Sequence, residues 1–199
     1  MTSARLPGEP SRLRPRPRLR RLGAPVALAA AMVVGAAACD VTVNVGLTCS
    51  VVGPLFSQRV RSVASENVTR GGPVQLELSV GWIDGRGAGT VTDVELALPM
   101  PIDLASVDEV TFGPSGFTGS WTVAGRQVVL TFTGAVPEQT VALPKVTLRG
   151  TVAADARGGS FPWRAPSSTT WSVAYPDGTF SARCAPTDQN TVINNSYVS

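Results

Sequence analysis

Hydrophobic and polar residues alternate with a period of two along much of the chain after residue 40. Between Val41 and Cys49 every second residue is apolar or a cysteine, and the residues between them are polar or glycine. The segments 74–80 and 94–98 repeat this pattern with valine and leucine. Because successive side chains of a strand point to opposite faces, this period is typical of a β-strand with one buried face.

Short turns separate the alternating segments. Residues 124–126, Ala-Gly-Arg, predict a hairpin between two of them. Pro176 fixes φ and Gly178 accepts a positive φ, so a second turn is predicted at 176–178. About nine or ten short strands joined by such turns predict an all-β fold, an antiparallel, immunoglobulin-like β-sandwich, with a closed barrel as the alternative. The predicted inward residues of the first hairpin are Val128, Leu130 and Phe132.

Two segments interrupt the alternation. Residues 156–166 contain two adjacent glycines and two prolines and are predicted to form a long loop. Residues 185–199 are predicted to be a polar C-terminal tail, in which Thr191 to Ile193 could add a last strand. The predicted organisation is a signal peptide at 1–38, a sandwich domain at 39–184 and a tail at 185–199.

The signal peptide is predicted from a basic stretch followed by an apolar one. Seven arginines precede residues 24–38, an uncharged run of 15 residues that ends in small side chains. A membrane-spanning helix needs about 20 apolar residues, so this run is too short to be a stable anchor. The order of basic, apolar and small residues is typical of an export signal. It leaves open whether export follows the general secretory or the twin-arginine route.

The end of this segment allows two kinds of cleavage. Residues 36–38 are alanines and the next residue is Cys39, which is similar to the site of bacterial lipoproteins, although Ala36 stands where leucine is usual. In that case Cys39 becomes the lipidated first residue. The alternative is simple cleavage after Ala38 and release of the protein.

The other two cysteines are predicted to form a disulfide. Cys49 shares a face with the apolar residues of the first strand, and Cys184 shares a face with Phe180 and Ala182 near the other end of the chain. Both therefore point to the core side of a strand, where they can meet in an oxidising compartment. The alternative is a pair of buried free thiols.

Charge excludes one class of partner. Seven of the 17 basic residues and one of the 14 acidic residues precede Cys39, which leaves 10 basic against 13 acidic side chains and a net charge of −3 after it. The basic pI of the whole chain therefore reflects the arginines of the predicted signal peptide and not the residues after it. We expect no nucleic-acid partner for the exported domain.

Candidate chemistry is sparse. The chain contains no histidine, which removes the usual general base and the commonest metal ligand. We expect no catalytic residues, no metal and no cofactor. Asp108 and Glu109 are neighbours and are expected to face opposite sides of a solvated edge. A possible binding site is Trp163 beside Arg164, as an exposed aromatic in the predicted loop.

Three segments carry a resemblance to a known group of proteins. The sequences VTVNVGLTC at 41–49, LPKVTLRGTV at 143–152 and CAPTDQN at 184–190 resemble an uncharacterised family of secreted actinobacterial β-sandwich domains. The resemblance implies a disulfide between the first strand and the C-terminal region, and an envelope location. It implies no activity. A cysteine at the leader boundary is a departure from that family.

We therefore expect a non-enzymatic protein of the cell envelope or the extracellular space, acting as a binding or structural surface domain with an envelope or extracellular partner. Membrane attachment is expected only through a lipid on Cys39. The alternative is a polysaccharide hydrolase that works through carboxylates alone, two of which would have to converge at about 5–10 Å. The acidic residues considered for that role are Asp84, Asp93, Asp103, Asp108, Glu138 and Asp155.

Overall fold

The computed structural model describes residues 38–50, 56–82, 89–138 and 141–199, all of which belong to one compact unit, Gly35–Ser199. Apart from Ala38, the predicted signal peptide lies outside the described residues. Asp84 also lies outside them.

The described residues form thirteen β-strands, nearly all paired antiparallel, as the alternating pattern predicts. They are β1 (Ala38–Cys49), β2 (Phe56–Ser65), β3 (Asn67–Val68), β4 (Pro73–Trp82), β5 (Thr90–Pro99), β6 (Leu104–Phe112), β7 (Phe117–Ala124), β8 (Gln127–Pro137), β9 (Val146–Val152), β10 (Gly159–Arg164), β11 (Ser168–Tyr175), β12 (Gly178–Pro186) and β13 (Val192–Val198).

Ten of these strands form one long sheet in the order β6-β9-β4-β2-β1-β12-β11-β5-β8-β7. Its two halves join only at the end of β1, where three residue pairs link β1 to β12, against ten pairs between β1 and β2. The inward residues of both halves belong to one hydrophobic core, so the halves are the two layers of a β-sandwich. The order is linear, with β6 and β7 at its ends, which confirms the predicted sandwich over the barrel.

The far edges of the two layers meet through aromatic packing. The ring of Phe112 on β6 lies edge-to-face on the ring of Phe132 on β8, with centroids 5.7 Å apart and planes at 90°. Gly119 on β7 makes room for this contact, because a Cβ at that position would lie 2.4 Å from the ring of Phe112. The predicted inward set is confirmed, since each member is no more than 1% exposed: Val128, Leu130 and Phe132.

A three-stranded sheet in the order β10-β13-β3 completes the fold and corrects the predictions for two segments. Residues 159–164 form β10 and are not part of a loop, and residues 192–198 form β13 and are not part of a tail. Ile193 on β13 is fully buried, and its carbonyl accepts a 2.7 Å hydrogen bond from the Oγ of Ser62 on β2. The suggested last strand is therefore present and extends through Val198.

The predicted disulfide lies where β1 pairs with β12, the strand pair that joins the two layers. Cys49 of β1 stands directly opposite Cys184 of β12, and the two sulfur atoms are bonded. The amide of Ser50 donates to the carbonyl of Arg183 at 2.8 Å, which makes the cysteines a non-hydrogen-bonded pair, the closer of the two kinds of antiparallel pair. Cys184 is 1% exposed, so the disulfide lies against the core as the strand parity predicts.

Candidate functional site

The layer β6-β9-β4-β2-β1 presents to solvent a face rich in charge, which we call the charged face. Its charged side chains come from all five strands and from the residue before β9, with equal numbers of each sign. They are Asp40, Arg59, Arg61, Glu77, Asp108, Glu109, Lys145 and Arg149.

All three ion pairs found among the described residues lie on the charged face. Arg149 Nη1 is 2.8 Å from Glu109 Oε2, with side chains 58% and 50% exposed. The other two pairs are Lys145 Nζ with Glu77 Oε2 at 3.1 Å and Arg61 Nε with Asp40 Oδ1 at 3.0 Å. Exposed pairs of this kind contribute little to stability, about 0–1 kcal/mol each. They pair six of the eight charged side chains of this face, all but Arg59 and Asp108.

A bulge in β6 changes the predicted orientation of Asp108. The register passes from Val107 opposite Gly150 to Glu109 opposite Arg149, so Asp108 is an extra residue without a cross-strand partner. Alternation is broken at a bulge, and both Asp108 and Glu109 therefore point to solvent, not to opposite sides as expected.

Hydrogen bonds hold the carboxylate of Asp108 on the charged face. It accepts bonds from Ser106 Oγ at 2.7 Å and from Thr151 Oγ1 at 2.8 Å. These bonds, that from Ser106 most of all, lower the pKa of Asp108 because they stabilise its charged form.

The opposite layer, β12-β11-β5-β8-β7, presents a face dominated by hydroxyl groups, which we call the hydroxyl face. Its members alternate with the buried residues of the same strands. The hydroxyl residues are Thr118, Ser120, Thr122, Thr131, Thr133, Ser168, Thr170, Ser172, Thr179 and Ser181.

These residues form rows that cross all five strands. Successive cross-strand partners define two rows, and each row contains an acidic residue of β5 at its centre. The first row is Thr118, Thr133, Asp93, Ser172 and Ser181, and the second is Ser120, Thr131, Glu95, Thr170 and Arg183. The charged side chains that face outward from these five strands are Asp93, Glu95 and Arg183.

Charge, and not the presence of hydroxyls, distinguishes the two faces. The charged face also contains exposed or half-exposed threonines, including Thr42, Thr111 and Thr147, because β-branched residues suit any half-buried strand. On the charged face these threonines are interleaved with the ion pairs described above. The hydroxyl face is therefore the less heavily charged of two otherwise similar sheet surfaces.

An open depression of about 400 Å³, which we call the hairpin cavity, lies at the turn between β11 and β12. It is lined by Tyr175, Asp177, Gly178, Thr179 and Phe180. The turn is the predicted one, with Gly178 at a φ of 149°. Phe180 is 39% exposed although its strand parity is inward and Val173, directly opposite it, is fully buried.

Tyr175 is held at this cavity by its hydroxyl and by its ring. The hydroxyl donates to Glu138 Oε2 at 3.0 Å, and the same oxygen accepts from the amide of Gly89 at 3.3 Å. A Cβ on Gly89 would lie 2.7 Å from the ring of Tyr175, so this close approach requires glycine. Burial, followed by the bond to Glu138, raises the pKa of Tyr175.

The candidate pair Trp163 and Arg164 lies in β10 and not in a loop. Trp163 is 1% exposed and its ring packs on Phe161 at a centroid distance of 5.5 Å, which corrects the expectation of an exposed aromatic. Arg164 is half-buried, and its Nη1 donates to Asn190 Oδ1 at 2.8 Å. A role of Arg164 in binding stays a prediction. The burial of Trp163 was not predicted from the sequence, because β10 was predicted to be part of a loop.

Cys39 lies at the second position of β1, opposite Ala64 of β2, and is not in a disulfide. Its carbonyl accepts a 2.9 Å hydrogen bond from Nδ2 of the buried Asn194, which bonds the Ser62 carbonyl as well. The strand begins three residues before the expected position at Val41. The backbone of Cys39 is therefore part of the folded domain.

The acidic residues considered for hydrolysis lie on separate elements. Asp93 is on β5, Asp108 is in the β6 bulge and Glu138 follows β8, where it binds Tyr175. Asp103 and Asp155 are on two loops that touch through a bond between the Asp103 carbonyl and the Ala153 amide. None of the five lines the hairpin cavity, or a cavity of about 230 Å³ on the charged face at Arg61, Val63, Glu77, Ser79 and Lys145.

The described segments contain neither a candidate metal site nor a candidate membrane-spanning helix. Within residues 38–50, 56–82, 89–138 and 141–199, no three or more histidine, cysteine, aspartate or glutamate side chains are grouped to hold a metal ion. Over the same ranges no helix is long and apolar enough to cross a membrane.

Comparisons with known proteins found similarity among solved structures, at low identity and low TM-score. No family model and no curated protein matches the chain. Among solved structures, a cohesin module of a family 33 glycoside hydrolase from Clostridium perfringens has 11% identity and a TM-score of 0.37, over 79% of this chain and 98% of that one. A non-cellulosomal cohesin from the hyperthermophilic archaeon Archaeoglobus fulgidus has 13% identity and a TM-score of 0.35, over 68% and 88%.

The major pilin of Corynebacterium diphtheriae has 13% identity and a TM-score of 0.35, over 78% of this chain and 37% of that one. Identities and TM-scores this low transfer neither activity nor partner to this chain. The resemblance of its short motifs to secreted actinobacterial domains stays a prediction.

Proposed function

We propose that this chain is a non-enzymatic domain of the cell envelope that binds an envelope component through its hydroxyl face. The observation that carries the proposal is the unequal distribution of charge over two sheet faces of the same construction. One face holds all three described ion pairs, whereas the strands of the other expose Asp93, Glu95 and Arg183 among rows of hydroxyls.

The disulfide supports a location outside the cytosol. Cys49 and Cys184 are bonded across two strands, and such bonds form and persist in oxidising compartments. The predicted signal peptide points to the same location from an independent part of the chain.

The energetics of desolvation favour the hydroxyl face as the contact surface. A partner that covers an ion pair must remove water from both charges, and the cost is recovered only with well-placed compensating groups. A hydroxyl donates one hydrogen bond and accepts two, so it can exchange water for a partner with little loss. Protein interfaces are accordingly depleted in charge at their centres.

Two threonines allow a matched test of this proposal. Thr131 on β8 stands between Glu95 and Ser120, and Thr147 on β9 stands between Glu77 and Thr111. Each lies on the second strand from one end of the ten-stranded sheet, half-exposed, between a glutamate and a hydroxyl residue. A lysine at either position has a glutamate and a hydroxyl residue as its cross-strand neighbours, although at 147 the glutamate is already paired with Lys145.

We expect the exported, disulfide-bonded protein to be retained by the insoluble envelope fraction of its own cells. Thr131→Lys should reduce retention about tenfold, equivalent to about 1.4 kcal/mol of binding free energy. Thr147→Lys should leave it unchanged within about twofold. The assay is sedimentation of labelled protein with washed envelopes. Absence of retention for the wild type, or equal losses in the two variants, would overturn the proposal.

We also propose that a lipid on Cys39 holds the domain at the outer face of the membrane. The alanines at 36–38 followed by cysteine support it, as does the surplus cysteine left by the disulfide. Two or three acyl chains anchor firmly, because each buried CH₂ contributes about 0.8 kcal/mol. The net charge of −3 after Cys39 gains nothing from anionic lipid, so the covalent anchor is the source of attachment.

Cys39→Ala should move the protein from the detergent phase to the culture medium. Intact-mass analysis of the wild type should show acyl chains on residue 39. A wild type that already partitions into medium, with no added mass on its first residue, would contradict the anchor. That result would leave the role of the hydroxyl face intact.

A further inference from the structure

We infer that β7 pairs with β7 of a second copy of this chain, so that two domains join edge to edge. The surface involved is the backbone edge of β7, which lies at right angles to the hydroxyl face. The inference does not rest on the proposed function. It is carried by a contrast among the sheet ends, by the lack of charge on β7 and by two apolar side chains that the fold leaves partly uncovered.

Among the described residues four strands stand at the ends of the two sheets, and each leaves one row of backbone N–H and C=O groups unpaired. Such an edge pairs readily with another chain, and proteins usually shield it with a short strand, a proline, a bulge or charges. Three of the four ends are shielded in this way. β3 has two residues, β10 contains Pro162 and a bulge, and β6 contains two register shifts together with Asp108 and Glu109.

β7 has none of these shields. Its eight residues, 117–124, pair with β8 in one continuous register, and they include no proline and no charged side chain. In the described part of the chain no strand pairs with its outer edge. Alternate residues of β7 therefore direct their amide and carbonyl groups outward in the plane of the sheet, where a further strand can bond them.

Two apolar side chains of β7 remain partly uncovered at this edge. Trp121 and Val123 stand opposite the buried Leu130 and Val128 and share their inward parity. Trp121 is nevertheless only half-buried, and Val123 is 48% exposed. A strand added beside β7 would place side chains of the same parity next to both, which would remove apolar surface from water.

The sequence of β7 is complementary to itself, which favours a second copy as the occupant. A two-fold axis perpendicular to the sheet and beside Trp121 makes the two copies of β7 antiparallel. It places Gly119 opposite Val123 of the second copy. In the same register Ser120 stands opposite Thr122 of the second copy. Opposite residues of an antiparallel pair share a face, so apolar residues meet on the inward side, hydroxyl residues meet on the outward side, and no like charges are brought together on β7.

The opposite layer limits this contact to a weak and closed pair. β6 lies across from β7, since the ring of Phe112 fills the space beside Gly119, so the same axis brings the two β6 edges towards each other. Their bulges and their acids, Asp108 and Glu109, oppose strand pairing there. One paired edge is at the small end of protein interfaces, so we expect a reversible association. A two-fold contact uses the same edge of both copies, so assembly stops at a dimer.

The test uses the disulfide-bonded Cys39→Ala protein, because neither a lipid nor a thiol on residue 39 can then join two copies. Sedimentation velocity between about 1 and 300 µM should show a monomer at the lowest concentration and a growing share of dimer at the highest. Hydrogen exchange measured by mass spectrometry at both concentrations reports on the backbone. About four amides of β7, the half that points outward, should exchange more slowly at the higher concentration.

Two valines provide a matched pair of variants. Val123 on β7 is 48% exposed, and Val192 on β13, the middle strand of the three-stranded sheet, is 44% exposed. Val123→Lys brings a charge to the open edge and should raise the dissociation constant of the dimer at least about tenfold. Val192→Lys should change it by less than about twofold. Both variants should keep the melting temperature of the wild type within a few degrees, because the replaced side chains are exposed.

Three results would overturn the inference. They are a protein that stays monomeric at every concentration, equal effects of the two lysine variants, and a dimer that leaves the amides of β7 as exchangeable as in the monomer. Thr131→Lys separates the inference from the proposed function, because Thr131 lies on β8, one strand inside the edge. It should leave the dissociation constant of the dimer unchanged within about twofold. If it dissolves the dimer, the hydroxyl face forms the contact and the pairing of β7 is wrong.

Discussion

Thr131 and Thr147 occupy equivalent positions on opposite faces of the sandwich, and their surroundings differ only beyond the nearest neighbours. Each stands between a glutamate and a hydroxyl residue on the second strand from an end of the sheet. Beside Thr147 lie Lys145 and Arg149, both in ion pairs, whereas beside Thr131 lie Val129 and Thr133. The fold requires only that outward residues be tolerated by water, so it does not account for this difference.

The two layers stabilise each other although their outer faces differ in charge. They are joined by three residue pairs at the end of β1, by the disulfide and by the shared core. Changes at these joints should therefore affect both faces together, whereas changes on one face should leave the other intact.

Removing the disulfide should have the largest effect. Cys49→Ser and Cys184→Ser together open a loop closed over a sequence separation of 135 residues, for which chain entropy predicts a loss of up to roughly 5 kcal/mol in the free energy of unfolding. The measurement is urea denaturation of the mature protein with and without the bond. A free energy of unfolding within about 1 kcal/mol of the wild type would show that the core alone holds the layers together.

Phe132→Ala should have the next largest effect. Its ring is fully buried and contacts Phe112 across the layers, so the loss should be about 3–5 kcal/mol, measured by the same denaturation. Val129→Ala, on the outward side of the same strand, is the matched control and should cost less than about 1 kcal/mol. Equal effects of the two substitutions would contradict the assignment of inward and outward faces.

The sequence predicted these inward residues because strand parity is local. The same parity identified the disulfide, since Cys49 and Cys184 share faces with apolar residues. It could not identify β10 or β13. Pro162 and Gly159 resemble loop residues, yet β10 lies at an edge of its sheet, where a proline is tolerated.

In β13 the buried side chains include polar ones, which hide the strand from a hydropathy pattern. Asn194 is 3% exposed and its amide bonds two backbone carbonyls, while Ser196 is fully buried. The sequence did not predict the charged face or the hydroxyl face either, because each is formed by strands whose order in the sheet cannot be read from the local pattern. The bulge at Asp108 is likewise set by pairing and not by the local sequence.

Acid should have a small effect on stability, through two carboxylates of the charged face. Hydrogen bonds from Ser106 and Thr151 lower the pKa of Asp108 in the folded state, and the bond from Arg61 lowers that of Asp40. A depressed carboxyl pKa contributes stability above the unfolded value, near 3.9, and this contribution is lost as pH falls through the folded value. Asp108→Asn should therefore flatten the fall in melting temperature below about pH 4. An unchanged slope would show that Asp108 gains nothing from its two hydrogen bonds.

Hydroxyl-radical footprinting of the wild-type protein on its own envelope fraction tests whether the hydroxyl face makes the contact. Two half-exposed valines report on the two faces, Val129 on β8 and Val63 on β2. We expect envelope binding to protect Val129 from oxidation and to leave Val63 as reactive as in the free protein. Protection of Val63, with Val129 unprotected, would place the contact on the charged face and contradict the proposed function.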